Sequence, residues 1–132
     1  MKRALKELMV ISCAAVVLLG CIVLYITHYK VVVVDAVPSA DGVYQITLQS
    51  IGEPEFPFGV AHGRLVLRNN KKVISKTDIT IANDGGPIFA ENWSVTWFDR
   101  YVEIILSGDE QYDERVTLYY DGQVERSQLT TH

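Results

Sequence analysis

Cysteine stops at Cys21: the chain has two, Cys13 and Cys21, and the rest of its 132 residues contain none. No disulfide can staple the body, and no cysteine-ligated zinc site can form there. Histidine is nearly as sparse. His28, His62 and His132 have no second ligand or nucleophile at a useful spacing, so neither a zinc site nor a catalytic triad has local support. Asp84-Gly85-Gly86 lacks the lysine that completes a phosphate loop and reads as a turn. Positive charge is also lacking where nucleic acid would need it. Residues 1–30 hold four basic side chains and one acidic, a net +3, while the remainder holds eight basic and fifteen acidic, a net −7. Phosphate backbones would be repelled by such a body, so nucleic acid is not expected as a partner.

What is present begins with LMVISCAAVVLLGCIVLYIT, residues 8–27, twenty residues without charge or proline. As a helix it spans about 30 Å, the hydrocarbon thickness of a bilayer, so the lipid bilayer is the expected partner of residues 8–27. Lys2, Arg3 and Lys6 precede it, and the excess of positive charge there places residues 1–7 in the cytoplasm and the chain beyond residue 27 outside. Leu18-Leu19-Gly20-Cys21 also matches the cleavage signal of a bacterial lipoprotein, which makes Cys21 a candidate lipidation site. Ile22-Val23-Leu24 then continue the apolar run where a lipoprotein turns polar, and this favours an uncleaved signal anchor.

Beyond the anchor no segment shows a helical period. Val31-Val32-Val33-Val34 suits a first strand within a juxtamembrane segment, residues 28–40, because β-branched side chains favour a pleated sheet. From residue 41 to 132 strand signals recur every ten to fifteen residues. Tyr44, Ile46 and Leu48 alternate with polar neighbours; Arg64 to Arg68 and Val73 to Lys76 flank Asn69-Asn70; Thr77 to Ile81, Trp93 to Trp97, Tyr101 to Leu106 and Arg115 to Tyr120 follow. The expected fold is all-β, a small antiparallel β-sandwich or open barrel of about six to eight strands behind one transmembrane helix. Its core is expected to contain Tyr44, Ile46, Leu48, Leu65, Leu67, Ile79, Ile81, Trp93, Val95, Trp97, Val102, Ile104, Leu106, Val116 and Leu118.

Chemistry is thinly represented. The acidic run Asp109, Glu110, Asp113 and Glu114 offers the hard oxygens that calcium prefers, without the glycine and spacing of a calcium loop. A solvated turn has the same composition, and neither a metal nor another cofactor is expected. Asn92-Trp93-Ser94 fits a glycosylation sequon, but Trp93 falls in an expected strand. Gly52 to Gly59 carries Phe56 and Phe58 on a proline-stiffened loop, where the rings either cap the sandwich or meet a partner.

The stretches SADGVYQITL, GRLVLRNNKKVISKTDITIANDGG and NWSVTWFDRYVEIILSGDEQYDERVTLYYDG, within residues 41–122, resemble small bacterial envelope proteins with one N-terminal hydrophobic segment and a C-terminal all-β domain. The resemblance brings no catalytic or binding residues with it. It implies a single-pass, extracytoplasmic binding or structural module whose partner is an envelope protein or cell-wall component. An inhibitor of an exported toxin, a lipoprotein anchored at Cys21 and a small hydrolase are the alternatives. The anchor has a direct check in the intact mass of membrane-extracted protein. The full-length mass is expected, and a chain beginning at an acylated Cys21 would overturn it.

Overall fold

The computed structural model describes residues 1–130; His132 lies outside the described residues. Helix α1, Lys2–Leu24, continues through a π-helical turn, Tyr25–Tyr29, so one helical rod of 28 residues, Lys2–Tyr29, precedes the sheet. At 1.5 Å per residue it is about 42 Å long, enough to cross the hydrocarbon and reach both headgroup layers. None of its side chains is buried, and it is long and apolar enough to cross a membrane. Only Lys30, already extended, separates this rod from the first strand.

Eight strands follow, each paired antiparallel with its sequence neighbour inside a sheet. Strands β1 (Val31–Pro38), β2 (Tyr44–Ile51), β3 (Ala61–Asn69) and β4 (Lys72–Ile81) form one four-stranded meander. A linker containing a short 3₁₀ turn, Ala90–Asn92, leads to the second meander: β5 (Trp93–Trp97), β6 (Tyr101–Leu106), β7 (Glu114–Tyr119) and β8 (Val124–Gln128). The fold is a two-sheet sandwich. The alternation seen in the sequence explains which face each strand buries: Ile46, Leu48, Leu65, Leu67, Ile79 and Ile81 from the first sheet meet Trp93, Val102, Ile104, Leu106, Val116 and Leu118 from the second in one core. Tyr44, Val95 and Trp97 pack against it half-buried.

Two differences from the sequence reading concern continuity. The segments around Val73 and Ile79 form a single strand, β4, whose irregularity opposite Leu67 and Arg68 absorbs the change of face. Strand β8 is fully exposed and polar, VERSQ, so it has no alternating pattern by which it could be recognised.

Polar contacts at the two open sides set how the sheets stack. On one side the chain bulges between Val33 and Asp35, and the Asp35 carboxylate accepts a 2.9 Å hydrogen bond from the indole Nε1–H of Trp93. On the other, Arg126 of β8 holds Glu114 at 2.6 Å and donates to the Asp78 carbonyl of β4 at 2.9 Å. At the end farthest from the helix, the rings of Tyr44 and Tyr120 stack 4.0 Å apart and nearly parallel.

Trp93 is only 7% exposed, so removing its acceptor leaves a nearly buried donor without a partner. Asp35→Ala is expected to destabilise the domain by about 1–3 kcal/mol. Denaturant unfolding of the detergent-solubilised full chain, followed by tryptophan fluorescence, provides the measurement. An unchanged midpoint would remove this contact from the account of the fold.

Candidate functional site

The outward face of the second sheet carries the densest chemistry. In β6 and β7, period-two alternation sends Val102, Ile104, Val116 and Leu118 inward and Tyr101, Glu103, Arg115, Thr117 and Tyr119 to the other face, where Thr117 is nearly covered by its neighbours at 8% exposed. The register sets Tyr101 opposite Tyr119 and Glu103 opposite Thr117, with Glu125 of β8 beside Thr117. The β5–β6 turn adds Phe98, whose N–H donates to the Tyr101 carbonyl at 2.9 Å. Its ring stacks on Tyr101 at 4.8 Å, and Tyr101 meets Tyr119 at 5.4 Å with the rings tilted. Three aromatic rings therefore run across the strands in a ladder.

A groove of about 590 Å³ lies along this ladder, walled by Tyr101, Tyr119, Glu103, Arg115, Thr117 and Glu125. Arg115 reaches Glu103 at 3.5 Å while remaining half exposed, so both keep hydrogen-bonding capacity toward solvent. Partial desolvation first, and then the charge and hydrogen bond of Glu125, hold the Tyr119 phenol above its ordinary pKa of 10.0. It remains a neutral hydroxyl at physiological pH. The face thus combines flat apolar rings with a rim of donors and acceptors, an arrangement that suits a ligand with apolar faces and hydroxyl edges.

The residues singled out from sequence fall elsewhere. The acidic run is divided among structural contacts: Glu114 pairs with Arg126, and the Asp113 carbonyl accepts from Leu129 N–H at 2.7 Å. Gln111 accepts the Ala82 N–H at 2.7 Å, and the Ala82 carbonyl accepts from Glu110 N–H at 3.0 Å. Among the described residues, no group of three histidine, cysteine or acidic side chains is placed to hold a metal. The sequon asparagine is similarly engaged. Asn92 and Asn83 exchange amide hydrogen bonds of 2.8 and 3.1 Å, and Asn92 also donates to the Ser107 carbonyl, tying the inter-sheet linker to the β6–β7 loop.

Phe56 and Phe58 are 96% and 72% exposed, so the rings do not cap the core. Cys13 and Cys21 are free thiols on the exposed helix surface. His28 lies at the helix end, and His62 pairs with Glu55 at 2.9 Å. A second concavity, about 580 Å³, lies between His28, Tyr29 and the outward face of β3 and β4. Its cations already have partners, Arg64 with Asp78 at 3.0 Å and Arg126 with Glu114.

No protein-family model, curated protein or solved structure matches this chain. The tyrosine ladder was not singled out in the sequence, although the alternation of Tyr101 with Val102 and of Tyr119 with Leu118 is visible there. Which strands lie side by side, and hence that these tyrosines are opposite each other, is a property of the register.

Glu110, in the β6–β7 loop, faces two other carboxylates, Asp84 and Asp109. A hydrogen bond with Asp84 first, then the charge of Asp84, desolvation and the charge of Asp109, raise its pKa above 4.5. The folded state consequently holds this proton more tightly than the unfolded state. Its contribution is complete below the unfolded pKa and is lost as pH rises through the folded value. Glu110→Gln is expected to melt higher than wild type at neutral pH, with the gap closing in acid. Melting curves across a pH series test this, and superimposable profiles would refute it.

Proposed function

We propose that this chain is a single-pass, membrane-anchored module of a bacterial envelope that binds a cell-wall glycan through the Phe98–Tyr101–Tyr119 face. The observation that carries the proposal is the ring ladder beside its polar groove. Sugar rings offer C–H faces that pack on aromatic planes, and their hydroxyl edges match Glu103, Arg115, Thr117 and Glu125.

The anchor half of the proposal draws on α1. Its side chains have no protein around them, and an apolar cylinder of that length is costly in water but suited to lipid. Lys2, Arg3 and Lys6 at its start favour a cytoplasmic N-terminus and an extracytoplasmic sandwich. The residues after Cys21 argue against a flexible lipoprotein tether, because they stay helical and join the sandwich directly. The ladder then stands near the far end of β6, roughly 17 Å beyond the helix-side end of that strand. A glycan mesh outside the membrane would meet the ladder before the base.

Sedimentation of the detergent-solubilised full chain with insoluble peptidoglycan tests the assignment. Wild type is expected to co-sediment, and Tyr119→Ala to weaken binding about tenfold, as loss of a central aromatic contact does. Absence of co-sedimentation, or equal binding by a Tyr101→Ala, Tyr119→Ala double variant, would overturn it.

A further inference from the structure

The exposed aromatics at the opposite end of the sandwich have a different setting. The β2–β3 loop, residues 52–60, begins where the helix ends: Glu53 N–H donates to the Thr27 carbonyl at 2.7 Å, and Gly52 N–H to the Lys30 carbonyl at 2.8 Å. Gly52 has φ +67, and a Cβ there would stand 2.4 Å from the Thr27 oxygen, so this close approach requires glycine. Phe56 borders the same concavity as Thr27 and His28. The start of the loop is thus held at the last helical turn, with Phe56 beside it.

That tip is apolar and pre-organised. Phe56, Pro57 and Phe58 supply its apolar surface, with Pro54 half-buried beside them, while the exposed Glu55 carboxylate is paired with His62 Nε2 at 2.9 Å and Glu53 stays exposed at the loop's start. Gly59 N–H closes on the Glu55 carbonyl at 2.8 Å, and Glu55 N–H on the Val60 carbonyl at 3.0 Å. Gly85 packs against the same loop so closely that a Cβ there would stand 2.6 Å from the Pro57 oxygen, leaving no room for a side chain. Val31, Val32 and Val33, the first residues of β1, are exposed as well, so apolar surface continues from the helix into the base of the sandwich.

We propose that Phe56 and Phe58 insert into the outer leaflet beside the helix, giving the protein a second, interfacial membrane contact that fixes the sandwich upright on the bilayer. This rests on the membrane-anchor reading given above. The occupant follows from position: a helix that crosses the membrane brings Thr27 to the headgroup level, and the loop bonded to Thr27 arrives there with it. Phenylalanine carries no polar group that needs a partner in the acyl region, and a fixed loop loses little freedom when its rings enter it.

The test uses the full chain reconstituted in phosphatidylcholine vesicles, with Phe56→Trp and Phe58→Trp as separate reporters and wild type, containing Trp93 and Trp97, as the baseline. Both positions are exposed, so neither replacement disturbs the core. Co-flotation with the vesicles is expected. In vesicles brominated at shallow acyl positions, the added emission of each variant is expected to be blue-shifted and reduced by about half or more, with the baseline changed far less. Co-flotation with red-shifted, unquenched reporters would overturn the inserted loop and leave the anchor standing. Failure of the full chain to float would overturn the anchor and the insertion with it.

Discussion

The carbonyls of Thr27 and Lys30 are the constraint on which the arrangement depends. A helix leaves its last carbonyls without partners inside the helix. Here two amide groups of the β2–β3 loop fill that need, at 2.7 and 2.8 Å, and Thr27 Oγ1 donates back to Val23 at 2.9 Å. With only Lys30 between helix and strand, the sandwich has no tether. Its base and its far end are therefore defined relative to the helix axis. The Phe56 loop lies at the base, whereas the Tyr101–Tyr119 ladder lies away from it.

The sandwich is stabilised chiefly by its apolar core but oriented by polar groups at its margins. Isoleucine, leucine and valine from two sheets can slide over one another with little change in contact area, since burial has no direction. Asp35 to Trp93 on one side and Arg126 to Glu114 and Asp78 on the other supply direction. Asn83 and Asn92 do the same for the linker. The acidic run is likewise part of the connections at the helix end. Glu114 and Gln111 have structural partners, and Glu110 shares Asp84's field at the cost of a raised pKa.

Much of the fold was legible. Alternation in Tyr44 to Leu48 and Tyr101 to Leu106 reports a half-buried strand directly, and the fifteen residues named for the core all lie in it or pack on it. The Asn69-Asn70 turn was legible because Asn70 takes positive φ, a conformation asparagine tolerates. Strand β8 was not, because an exposed edge strand buries no face and so carries no period. The tyrosine face was not recognised because aromatic residues at strand positions look alike whether they face the core or solvent, and pairing Tyr101 with Tyr119 requires the register of two strands.

Local sequence by itself determined the apolar helix, the charge step across it, the number of main strand signals and the residues that would be buried. Each of these follows from hydrophobic period, chain length or turn chemistry within a short window. Tertiary structure alone decided that the strands divide into two meanders, that Asp35 reaches an indole 58 residues away, that Glu55 turns from Phe56 to His62, and that the two aromatic groups occupy opposite ends. Those outcomes depend on hydrogen bonds between distant segments. Such bonds have distance and angle but no sequence period, so they exist only once the chain has closed on itself.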